Sequence, residues 1–193
     1  MLKRLAAVIG VVGIFAVCSP LAVSDPLVIK TAWDSDDHPA LTNDITQTVN
    51  RVAQIHPEVR GTVVTTSFLP MGMYAGAGGR MIMFNDLYFS WPDVVNGMLH
   101  YDVDHGFHPP LGRCSPAEFI AYHESAHIID QQRGKTPRMA LTARYGGLTG
   151  LPLSGYSFID GILNPGEALA EAFAAVQCNG GNPLERDIAA LLN

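Results

Sequence analysis

The sequence predicts an α+β domain, and three observations carry that prediction. Runs rich in β-branched and aromatic residues gather in the first half, two strongly capped helices occupy the second, and no repeat or low-complexity tract separates them. A hydrophobic content of 48% with 16% charge is that of a folded globular chain, and 193 residues leave room for one domain of ordinary size.

Taken in order, the chain opens with Lys3-Arg4 and an apolar run over 5–18, then Ser19-Pro20 and the small residues Ala22-Val23-Ser24. This is the layout of a secretory signal peptide, residues 1–24, with cleavage after Ser24 and a mature domain at 25–193. The run falls short of the roughly 20 residues that a spanning helix needs, which weighs against an uncleaved anchor. Val17 before Cys18 weighs against a lipoprotein signal. The sequence therefore predicts a secreted protein with no membrane association after cleavage. Loss of Lys3 and Arg4 leaves ten basic side chains against eighteen acidic ones, a formal charge near −8, which excludes nucleic acid and anionic membrane surfaces as expected partners.

Residues 27–33 and 62–68 read as strands, with a helix of amphipathic period over 42–55 between them that stops at His56-Pro57. The glycine-dense stretch 72–79 reads as a mobile loop, residues 80–86 as a third strand, 92–100 as a short helix and 101–113 as irregular. Ser115-Pro116-Ala117-Glu118 combines an N-cap serine, a proline at the first helical position and a glutamate at the third, so a helix should run from there to about Arg133. Asn164-Pro165-Gly166-Glu167 repeats that grammar and opens a helix ending near Cys178, before Asn179-Gly180.

Chemistry concentrates on these two helices. In His123-Glu124-Ser125-Ala126-His127 the histidines are four apart and share a helix face, so both imidazoles can be directed at one ion, with Glu124 beside them at the height of a bound water. Such a site takes one Zn²⁺, with Glu124 as general base. On an exposed helix the same five residues are merely solvated, but here apolar Phe119, Ile120, Ile128 and Ile129 surround them.

A third ligand is expected from Glu167 or Glu171, which share a face of the second helix and are expensive to bury without a cation or donors. Glu167 is assigned to the metal and Glu171 to the free N–H of a ligand histidine, although the spacing also accommodates the reverse. Export leaves Cys114 and Cys178 as an even pair. If the two helices pack antiparallel, both sulfurs fall at the same end, so a disulfide is expected. His100, His105 and His108 form a loop cluster that reads as solvated or cleft-lining side chains, with His108 the cleft-lining candidate, rather than as a second metal site.

With these residues in hand, the chain resembles the lethal-factor-like zinc peptidases of the gluzincin group, whose relatives include anthrax lethal factor and the secreted bacterial proline-proline endopeptidases. The resemblance rests on His123 to Asp130, like that family's HExxHxxD, and on Glu167 to Phe173, like its ExxAEAF; it extends over residues 80–178, and the stretch before the first motif also looks like compact phage and bacterial members. It implies a zincin-like fold, a zinc-dependent endopeptidase acting on a peptide or protein substrate, and an edge strand above the cleft, here matched to Met81–Asn85. It also implies an oxyanion-stabilising tyrosine shortly before the third ligand. The corresponding position here is Asp160, so Tyr156 is the first candidate and Tyr145 the second; Asp130 is read as a helix-orienting residue. The competing expectation is an inactive zinc-binding or protein-interaction module on the same scaffold, against which Glu124 speaks, since a structural zinc needs no base.

Overall fold

The computed structural model describes residues 38–193. The expected signal peptide at 1–24, the domain start at Asp25 and the strand at 27–33 lie outside the described residues. Within them the chain is α+β, with seven α-helices and two small sheets. No helix among them is long and apolar enough to cross a membrane.

Helix α1, Pro39–Ile55, starts at a proline in the first turn and turns into a short 3₁₀ segment, Pro57–Val59, after His56. Pro57 has no N–H to continue the ladder. Strands β1 (Val63–Ser67), β2 (Ala75–Gly78) and β3 (Met81–Asn85) form one sheet in the order β1-β3-β2. β1 runs parallel to β3 with Val63 opposite Met81, and β2 runs antiparallel with Ala75 opposite Phe84.

Two expectations are corrected here. Half of the glycine-dense stretch is a strand, because a ladder is built from main-chain groups and tolerates Ala-Gly-Ala-Gly, and the turn into β3 is closed by Gly79 at φ 62°. Met81–Asn85 is the central strand rather than an edge; the edge facing the helices is β2.

Asn85 caps the short α2 (Asp86–Ser90), its side chain accepting from Leu87 N–H at 3.2 Å. Helix α3, Pro92–Asp104, continues one turn beyond the expected stop at His100, which shortens the irregular stretch that follows. Helix α4 (Pro116–Gln132) is followed by α5 (Thr136–Tyr145), a hairpin of β4 (Phe158–Ile159) and β5 (Ile162–Leu163), α6 (Pro165–Asn179) and α7 (Pro183–Ala189).

Helix α4 is the axis of the molecule. It packs on α6, α1 and β2, and its side chains from Phe119 to Ala126 are buried on every face, as a helix enclosed by its neighbours must be. Alanines at 168, 170, 172 and 174 are all buried in α6, so its backbone approaches α4 closely. The remaining core is Ile45, Val49 and Val52 of α1 with Val64, Ile82 and Phe84 of the sheet. Arg51 ties α1 to α4 through Glu118 at 2.7 Å and the Tyr122 hydroxyl at 3.2 Å. The Cys114–Cys178 disulfide is formed and joins the entry of α4 to the last turn of α6, as the antiparallel packing of the two helices requires.

Candidate metal centre

The first turn of α4 is fixed by the expected reciprocal cap. Ser115 Oγ accepts from Glu118 N–H at 3.3 Å, and Glu118 Oε2 accepts from Ser115 N–H at 2.9 Å. The same Ser115 hydroxyl donates to Asp44 of α1 at 2.8 Å. On α6, Asn164 Oδ1 accepts from Gly166 N–H at 3.2 Å, which places Glu167 in the first turn, where the helix dipole favours a negative charge.

These two starts bring three ligating atoms together. His123 Nε2 and His127 Nε2 are 3.1 Å apart, His123 Nε2 and Glu167 Oε2 3.2 Å, and His127 Nε2 and Glu167 Oε2 3.3 Å. Tetrahedral zinc, with bonds of about 2.0–2.1 Å to nitrogen and oxygen, sets neighbouring ligand atoms roughly 3.3 Å apart. Among the described residues this is the group whose ligating atoms converge in this way.

The donor set points the same way. Glu171 Oε1 lies 2.9 Å from His123 Nδ1, so that nitrogen donates. In a neutral His123 ring, Nε2 then carries a lone pair that faces the carboxylate of Glu167 and the second imidazole, an arrangement a cation relieves. Burial, the largest influence, disfavours the His123 imidazolium, but Glu167 and Glu171 outweigh it and raise its pKa well above the ordinary value when no cation is bound. Glu167 is likewise opposed by burial, yet the two histidines hold it well below the usual carboxylate range.

Glu171 is 2% exposed and accepts three hydrogen bonds: from His123 Nδ1, from Ser154 Oγ at 2.8 Å, and from His108 Nδ1, which lies 3.1 Å from both of its oxygens. Burial pushes its pKa up, and its contacts with His108 and His123 more than reverse that. The geometry thus sets Glu167 beside His123 and His127, and Glu171 behind His123.

Glu124 is also buried, and its Oε2 has no hydrogen-bond partner among the described residues. Burial raises its pKa, with the His123 and His127 charges opposing. Leaving a carboxylate oxygen desolvated and unpaired is costly; Glu58 Oε2 and Thr62 Oγ1 are in the same position.

Tyr156 sits in a 3₁₀ turn, Gly155–Ser157, held against the loop after α3 by Gly155 N–H to Gly106 O (2.9 Å) and Tyr156 N–H to Phe107 O (2.8 Å). Its ring is 5.7 Å from that of His123 and 4.9 Å from that of His108, and it lines one pocket with His123, Glu124, His108, Phe107 and Tyr74. Burial and then the three glutamates raise its pKa, so it keeps its proton and can donate. Tyr145 is not in this pocket; its hydroxyl bonds Asp187 of α7.

Asp130 is 1% exposed and bonds to Arg138 of α5. It accepts from Arg138 N–H at 3.1 Å and pairs with the Arg138 guanidinium. That guanidinium packs on Gly166, where a Cβ would lie 3.3 Å from Nη1, so Asp130 braces the first turn of α6 through Arg138. In the loop cluster, His105 stacks on Tyr101 at the surface while His108 is buried in the pocket. Ser154, Tyr74 and Arg138 carried no signal in the sequence, because each acts through a contact that only the fold creates.

Comparison with family models, curated proteins and solved structures finds no match for this chain.

Proposed function

We propose that the protein is an exported zinc-dependent endopeptidase of zincin-like architecture, related to the lethal-factor-like group. The observation that carries this reading is the mutual spacing of His123, His127 and Glu167, with the buried Glu124 beside them. His123, His127 and Glu167 would hold the ion. Zinc at such a site supplies a Lewis acid for the scissile carbonyl and acidifies water to a pKa of about 7.

Glu124 takes the proton from the attacking water and returns it to the leaving amine. Its buried setting keeps its basicity above that of a solvated carboxylate. Tyr156, protonated and facing the same pocket, donates to the oxyanion as it develops. Glu171 fixes the His123 tautomer and strengthens that ring as a ligand.

An extended peptide finds its partner in β2. Tyr74 O accepts from Asn85 N–H at 2.9 Å, so hydrogen-bonded pairs with β3 alternate from there and the main-chain groups of Ala75 and Ala77 face the open edge. Gln131 Nε2 already meets Ala77 O at 3.2 Å, which marks one end of the groove, while Ala75 borders the pocket with His123 and Glu124. Export fits the disulfide, which persists in oxidising compartments.

The test is Glu124→Gln in zinc-loaded protein against a peptide library. Wild-type cleavage that Gln abolishes, with zinc content unchanged, is the expected result. A wild type that cleaves no member of the library would leave an inactive zinc-binding module as the better reading.

A further inference from the structure

His108 is held in the pocket more rigidly than a lining residue needs to be. Its side chain is 6% exposed, enclosed by Phe107, Phe119 and Tyr156 with ring centroids at 5.3, 5.8 and 4.9 Å, and Nδ1 meets both oxygens of Glu171 at 3.1 Å. A carboxylate accepts and does not donate, so Nδ1 carries a proton, and in the neutral form of the ring the lone pair lies on Nε2. Nε2 has no partner among the described residues, yet it is absent from the enclosed unpaired atoms, Glu58 Oε2, Thr62 Oγ1 and Glu124 Oε2. It therefore opens on the pocket that the ring shares with His123, Glu124 and Tyr156.

We propose that His108 is a substrate-contacting residue whose Nε2 accepts a hydrogen bond from a main-chain N–H of the bound peptide. The proposal rests on the peptidase reading and adds the group that seats the peptide beside Tyr156. Tyr156 offers a donor and His108 an acceptor, which is the pair a peptide unit presents in reverse. Glu171 serves both rings: one of its oxygens meets His123 Nδ1 while both meet His108, so a single carboxylate sets the orientation of the ligand histidine and of the substrate-side histidine. His108 acts on binding and leaves the ion's ligand set untouched.

The probe is an extended peptide hydroxamate and a set of analogues in which each amide in turn is replaced by an ester, titrated calorimetrically into zinc-loaded wild type and His108→Phe, which keeps the aromatic packing and removes the acceptor. One ester is expected to weaken wild-type binding by roughly 3–10-fold, the worth of one hydrogen bond, and that penalty is expected to vanish in His108→Phe at unchanged zinc content. If every ester penalty of the wild type persists in His108→Phe, or the wild type shows none, the role of His108 is overturned and the peptidase reading is left intact; penalties at amides paired with β2 are expected in both proteins. Zinc-loaded wild type that binds no hydroxamate overturns both. Should His108→Phe fail to fold, imidazole ¹⁵N spectra of the wild type decide: Nε2 of His108 is expected as an unprotonated nitrogen that shifts upfield when the hydroxamate binds, and an unmoved signal overturns the proposal.

Discussion

Removing the disulfide should cost the protein more than any surface change. Cys114 and Cys178 are 64 positions apart, and closing a loop of that length removes unfolded-chain entropy equivalent to about 4 kcal/mol. In the folded state the same two segments stay joined without the bond. Arg113 N–H donates to Cys178 O at 3.1 Å, and Arg113 Nη2 donates to Gln177 O at 3.0 Å. The native approach of the segments should therefore survive a Cys114→Ala/Cys178→Ala double substitution, leaving the loss to arise mainly in the unfolded chain. For a domain of this size the midpoint should fall by roughly 8–16 °C. The assay is equilibrium urea unfolding of oxidised wild type and the double variant, both with chelator so that metal linkage does not enter. A loss below about 1 kcal/mol would refute the loop-entropy argument, and a steeper urea slope is expected in the double variant, whose unfolded chain is less compact without the cross-link.

Other outcomes follow from the buried polar groups. Glu171→Gln keeps the shape of the side chain but replaces one acceptor with a donor facing His123, His108 or Ser154, so zinc affinity measured by competition with a chelator should fall by about 10–100-fold. His56 is 4% exposed and packs edge-on to Phe173 at 5.6 Å; burial, then Arg133, lowers its pKa against a smaller opposing effect of Glu58. Its contribution to stability is complete above the unfolded value of about 6.5 and is lost as pH falls toward the lower folded value. Urea midpoints should therefore drop as pH falls below about 6.5 in the wild type and drop less in His56→Phe.

Much of this architecture is written in local signals. The caps at Ser115 and Asn164 placed both site helices to within a residue or two, and the i, i+4 spacings of His123 with His127 and Glu167 with Glu171 put each pair on one face. What escaped was either side-chain-poor or long-range. β2 is Ala-Gly-Ala-Gly, which carries no alternation of polar and apolar side chains, so nothing local marks it as a strand. With β2 unseen, Met81–Asn85 took the edge position that belongs to its neighbour. Helix α5 opens from Lys135 in a left-handed conformation without a side-chain cap, leaving Pro137 in its first turn as the start signal. Helix α7 did have one: Asn182-Pro183-Leu184-Glu185 forms the same reciprocal cap as Ser115 to Glu118 and was legible by the same rule. The contacts of Glu171 with His108 and Ser154 join residues 63 and 17 positions apart and exist only once α6 meets the loops after α3 and α5.

The central claim is that His123, His127 and Glu167 bind one zinc ion. It is tested most directly by metal analysis of purified protein, dialysed against zinc, for the wild type and for Glu167→Ala and Glu171→Ala. The account predicts one zinc per wild-type chain, none retained by Glu167→Ala, and a weakened but present site in Glu171→Ala. A wild type without stoichiometric zinc, or a Glu167→Ala variant that holds it as tightly as the wild type, would contradict it.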